Sequence, residues 1–171
     1  MPVKEEAVTL EEATRQVLSI VRRMALLHYS FARTLVEELG EEKGRQVIRK
    51  AIDFYGELVG KKVRERTLAK GLETVPANYQ EDLPRLGWNI EMVTVDGEPR
   101  ARIRDCNLAQ AWRELGAPEL GRLYCYMDQA KYEAYDPALE CVHEKNILDG
   151  DPYCELAVRT KKGKTPGKGK K

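Results

Sequence analysis

Two helix-period stretches that meet at Gly40 constrain this chain more than any other feature. In residues 9–39, Val17, Val21, Met24, His28, Phe31 and Leu35 recur at steps of three or four, which puts one apolar face on a long helix. Thr9 followed by Glu12 fits a capping box, in which a hydroxyl and a carboxylate satisfy orphan backbone N–H groups. A second helix is expected over 41–70, with Val47, Ile48, Ala51, Ile52, Tyr55, Leu58 and Val59 as its buried side. A lone glycine between two such helices leaves room only for a tight reversal, so they form an antiparallel hairpin. Gly44, Gly56 and Gly60 interrupt the second helix at about 1 kcal/mol each relative to alanine. Their use is close approach by another backbone or by a ligand, with close packing the first reading. His28, on the apolar stripe, reads as a satisfied core histidine rather than a ligand.

The rest of the chain changes period. Residues 71–87, with Pro76 and Pro84, read as a connection long enough to form a lid or a loose loop. Residues 89–95 and 100–106 read as strands joined at Asp96-Gly97. In the second of these, Arg100, Arg102 and Arg104 share one face. Such a row is a solvated sheet face, or a planar fork for a substrate carboxylate. Helices follow over 107–115 and 119–135, then a second hairpin, 138–148 and 153–160, around Asp149-Gly150-Asp151-Pro152. The expected fold is therefore α+β: an N-terminal helical hairpin, then an antiparallel sheet from two hairpins with intervening helices.

Residues 1–160 make one domain, and 161–171, with six lysines and no acid, make a disordered tail. Without those lysines the chain has 23 basic against 28 acidic side chains. It has no basic groove to suit nucleic acid. No apolar run approaches the ~20 residues a membrane helix needs, and no leader pattern opens the chain. A cytoplasmic protein with reduced cysteines is expected, while self-association stays open.

Reactive side chains concentrate between Cys125 and Cys154, which hold three of the four cysteines and one of the two histidines. Cys125 and Asp128, three apart, share a helix face. Cys141 and His143 share a strand face, with Cys154 across the hairpin. A zinc site from these residues with Cys125 or Cys106 is conceivable, but the spacings match no common zinc signature, so no metal or other cofactor is assigned. For thiol chemistry His143 is the better base, because a bare carboxylate raises a neighbouring thiol's pKa.

Six segments carry a family resemblance: E-E-L-G-E-E-K-G with Y-G-E-L-V-G-K-K (37–44, 55–62), D-C-N-L-A-Q-A-W (105–112), L-Y-C-Y-M-D (123–128), Y-D-P (135–137) and H-E-K-N-I-L-D-G-D-P-Y-C-E-L (143–156). On these the chain resembles the L-2-amino-thiazoline-4-carboxylic acid hydrolase family over most of residues 20–158. A more distant likeness is to the 4-vinyl reductase-type small-molecule-binding domains. The resemblance implies a hydrolase that opens a cyclic amidine by adding water at the amidine carbon, giving an N-carbamoyl-cysteine-type product. It implies catalytic roles among Cys106, Cys125, Asp128, His143 and Cys154, with Asp128 pairing the amidinium. Arg102, Arg104 and Asp151 are the substrate-binding candidates. The alternative is a sensor-like domain that binds a small molecule or metal without turnover.

Overall fold

The computed structural model describes residues 7–80, 82–84 and 86–164. Helix α1 (Leu10–Leu39) opens where the Thr9 hydroxyl accepts the Glu12 N–H at 3.1 Å. The Glu12 carboxylate turns instead to Arg15 and Gln16, so only half of the expected capping box forms. Gly40, at φ +79°, is the whole joint to α2 (Glu41–Ala69). The glycines of α2 do what their cost suggested. A Cβ on Gly56 would sit 2.6 Å from the Met127 carbonyl oxygen, and one on Gly60 only 2.0 Å from that of Lys131. The backbone of α2 therefore lies directly on α5 (Tyr126–Tyr135) and fixes the helix that bears Asp128 and Lys131.

Strands β1 (Ile90–Val95) and β2 (Glu98–Ile103) turn through Asp96 and Gly97, both at positive φ, as a two-residue hairpin requires. After α3 (Asn107–Glu114), α4 (Pro118–Tyr124) and α5 come β3 (Leu139–Lys145) and β4 (Cys154–Thr160). The two hairpins join through antiparallel β2–β4 pairing into one four-stranded sheet of order β1-β2-β4-β3. The fold is α+β, with its helical hairpin at the N-terminus. No helix among the described residues is long and apolar enough to cross a membrane.

Three details depart from the expected layout. The helix expected over 119–135 breaks at Cys125, where bonds three residues apart replace the usual four-residue spacing (Cys125 N–H to Arg122, Asp128 N–H to Cys125, both 3.2 Å). This break places Asp128 in the first turn of α5, where the helix dipole favours a carboxylate. Second, much of the apolar surface expected to be buried is not. Met24 and Phe31 on α1, and Val47, Ala51, Tyr55 and Leu58 on α2, are exposed, while α2 buries Ile48, Ile52 and its glycines. Third, the described start of the tail is tied down. Lys161 donates its N–H to the Ala138 carbonyl at 2.7 Å and its ammonium to Glu133 at 3.0 Å. Residues 165–171 lie outside the described residues.

Trp112 anchors the packing of α3 under α1. Its ring is fully buried against Val21 and Ala25, and its indole N–H donates to the Ala25 carbonyl at 3.0 Å. His28 is a core histidine, 2.9 Å from the Leu120 carbonyl oxygen and edge-on to Trp112 and Tyr124.

Candidate functional site

The register gives the sheet two chemically different faces. Ile103 pairs with Cys154, Ala101 with Leu156, and His143 with Leu156, so Cys154, Cys141 and His143 all point inward toward the helices. Arg102 pairs with Glu155 on the opposite face. There Arg100 and Arg102 both grip the buried Glu155, at 2.9 and 2.8 Å, and Arg159 bridges Glu98 to Glu144. Arg104 lies over Tyr153 and 3.6 Å from Glu91, on that same outer side. Arg102 and Arg104 thus do not share a pocket with Asp128. The strand alternation that put the arginines in a row also turned them away from it.

On the inner side, α5 lies across β3, and Asp128 meets His143 with Oδ2 to Nε2 at 3.2 Å. Asp128 Oδ1 is 2.8 Å from the ammonium of Lys131, one turn along the same helix. Lys131 also reaches Asp82 at 2.7 Å, so the 71–89 connection contributes a carboxylate from above. Tyr79, from that connection, stacks on Tyr132 with ring centroids 4.3 Å apart. The hydroxyl of Tyr79 and the indole N–H of Trp88 are buried with no hydrogen-bond partner among the described residues.

Asn146 organises the other side of His143. The Leu148 N–H can only donate, so the amide atom 2.9 Å from it is Oδ1. The other amide atom is then a donor, and it stands 3.0 Å from His143 Nδ1. Nδ1 must therefore present its lone pair, which leaves the ring neutral with its proton on Nε2, donated to Asp128. Asn146 itself is 1% exposed, and Asp151 accepts its backbone N–H at 2.8 Å. Asp151, a substrate-binding candidate, braces the turn that aims Asn146.

Electrostatics separate the carboxylate from the thiols. Burial alone would raise the Asp128 pKa, but Lys131 and His143 outweigh it and hold the group far below the ordinary carboxylate range. Its side chain keeps 21% of its exposure. Burial works against the charge of Lys131 too, and Asp128 and Asp82 hold its pKa well above normal. Burial pushes Cys125 up to about 12, against the pull of Asn146 and with Asp128 adding to the rise. It pushes Cys106, at the start of α3, up to about 11. Cys154, whose sulfur accepts the Ile147 N–H at 3.4 Å, and Cys141 are also raised by burial. The charge of Asp128 acts on all four thiols.

The structure therefore brings Cys106, Cys125, Asp128, His143 and Cys154 around one cluster and leaves out Arg102, Arg104 and Asp151. The geometry for zinc is missing: among the described residues no group of three or more His, Cys, Asp and Glu side chains is placed to hold a metal ion. Two open grooves of about 600 and 350 Å³ run along the exposed flank of α2 and contain none of these residues.

A family model described as L-2-amino-thiazoline-4-carboxylic acid hydrolase matches residues 20–158, which span both hairpins and the whole cluster. The chain belongs to that family. A search of curated proteins finds no match. At the level of the family's name, membership supports a hydrolase-like function. Within this hydrolase-family fold, sequence reasoning missed Lys131, Asn146 and Asp82. Lys131 was open to detection, since its three-residue spacing from Asp128 is that of a helical ion pair. Asn146 and Asp82 reach the site only through tertiary folding.

Proposed function

We propose that the chain hydrolyses a small cyclic amidine of the 2-amino-thiazoline-4-carboxylate type to an N-carbamoyl-cysteine-type product. The observation that supports this best is the charge balance around Asp128. Two carboxylates, Asp128 and Asp82, face one ammonium, Lys131, beside a neutral His143. One negative charge is left over in a largely desolvated site, and an amidinium is its complement. Holding the substrate protonated makes its ring carbon electrophilic.

Water then adds to that carbon, the carbon–sulfur bond breaks, and the sulfur leaves with a proton as a thiol. One water is consumed, and nothing is oxidised or reduced. With every thiol's pKa raised, water rather than a resting cysteine thiolate is the attacking group. Arg122 replaces Arg102 and Arg104 as the partner for the substrate carboxylate. Its charge acts on both Cys125 and Cys154, and it holds Asp149 through Nε alone.

The test is incubation with L-2-amino-thiazoline-4-carboxylate, following free thiol with a chromogenic disulfide. Thiol release above the protein-only control supports the proposal, and none removes it. Binding without turnover is favoured by one observation: Asn146 occupies the free nitrogen of His143, so that ring offers no base. Calorimetric binding of the same compound with no thiol released would establish that reading instead.

A further inference from the structure

We propose that the outer face of the α1–α2 hairpin is the interface of a two-fold dimer of this chain. Ile20, Met24, Leu27 and Phe31 fall at steps of three and four, within about a 60° arc of α1. By helical position Phe54 and Leu58 fall on the side of α2 away from its buried Ile52 and Gly56, as the α1 stripe falls away from Val21 and Ala25, so both stripes face outward, and Phe54 also lines the open groove with Lys50 and Glu57. These six side chains are 37% to 66% exposed. Large apolar side chains present on the order of 200 Å² each, so together they leave roughly 600 Å² of apolar surface uncovered. Single exposed hydrophobics are ordinary, but a contiguous patch of this size marks an interaction site.

Three observations select a second copy as the occupant. The area approaches the roughly 800 Å² that each partner contributes to a standard interface. Both signs of charge border the stripes, Arg22 and Arg23 on α1 and Lys50, Asp53 and Glu57 on α2, rather than the uniformly basic face that anchors a helix on a lipid surface. The formal charge of the chain is only +1, so two copies approach with little net repulsion. The geometry also suits closure. Two antiparallel hairpins packed face to face about a two-fold axis form a four-helix layer, in which each stripe covers its own image. The periodicity of residues 9–70 belongs to helices apolar over a wider arc than one chain covers, and a second chain supplies the missing partner.

The experiment is sedimentation of the full chain at about 10 µM, a concentration at which interfaces of this size associate. The expected result is twice the 19.5 kDa chain mass. Leu27→Glu and Phe31→Glu should be monomeric with unchanged helical circular dichroism, weakening association at least 100-fold on the scale of central interface residues. Leu26→Glu, on the opposite exposed flank of α1, should remain dimeric. A monomeric wild type would overturn the proposal, as would stripe variants that stay dimeric or mass that grows with concentration beyond two chains. A monomeric wild type that sediments with phospholipid vesicles would assign the patch to a lipid surface instead.

Discussion

Asn146→Ala tests the arrangement of the site without needing a substrate. The substitution removes the amide donor to His143 Nδ1 and the acceptor for the Leu148 N–H. Each bond contributes about 1 kcal/mol net, and an orphaned buried group costs about 1–3 kcal/mol. We expect a loss of about 3 kcal/mol in chemical denaturation, and a Tm lower by roughly 6–12 °C. The sharper readout is the imidazole itself. The chain has only two histidines, so ¹⁵N spectra of the ring nitrogens assign readily. In the wild type His143 should show an unprotonated Nδ1 and a protonated Nε2. In Asn146→Asp the new carboxylate accepts from Nδ1–H, and both nitrogens should read as protonated. A wild-type spectrum with the proton on Nδ1 would refute the orientation argued from Leu148.

Other expectations follow from the same geometry. The Asp128 pKa in the folded state lies below its unfolded value of about 3.9. The stability it contributes is therefore present above about pH 4 and is lost as pH falls through the folded value. Asp128→Asn should flatten the fall of Tm on acidification, and an unchanged slope would contradict the ion pair. With Cys106 at about 11 and Cys125 at about 12, both thiols are protonated at neutral pH. Iodoacetamide at pH 7.5 should label Cys106 roughly 100-fold and Cys125 roughly 1000-fold more slowly in the native than in the unfolded protein, and rapid native labelling of either would overturn the assignment. Gly60→Ala places a methyl 2.0 Å from the Lys131 carbonyl oxygen. It should cost more than about 2 kcal/mol in denaturant melts despite alanine's better helix propensity, and a neutral result would refute the close α2–α5 contact.

Much of the fold was legible because local rules govern it. The helical hairpin, the Asp96-Gly97 turn and the crossing glycines each follow from one residue type at one position. The break at Cys125 was not legible, because residues 119–135 keep a helical pattern while tertiary contacts tighten the turn. The expected burial of Val47, Tyr55 and Leu58 failed for a different reason, since periodicity reports an apolar face and not what covers it. At the site, strand alternation correctly grouped Cys141 with His143. The arginines were misplaced because alternation says which residues share a face, but not which face the helices cover. Pairing of β2 with β4, a contact between residues more than fifty apart, settles that.

The most direct test of the central claim is the rate of thiol release from L-2-amino-thiazoline-4-carboxylate by wild type and Asp128→Asn under identical conditions. If the ionised Asp128 holds the amidinium, the wild type turns over and the asparagine variant loses roughly 100- to 1000-fold in kcat/KM, as when one charge-stabilising group is removed from an enzyme site. An Asp128→Asn protein that turns over at the wild-type rate would contradict the account, whatever the fate of the thiols.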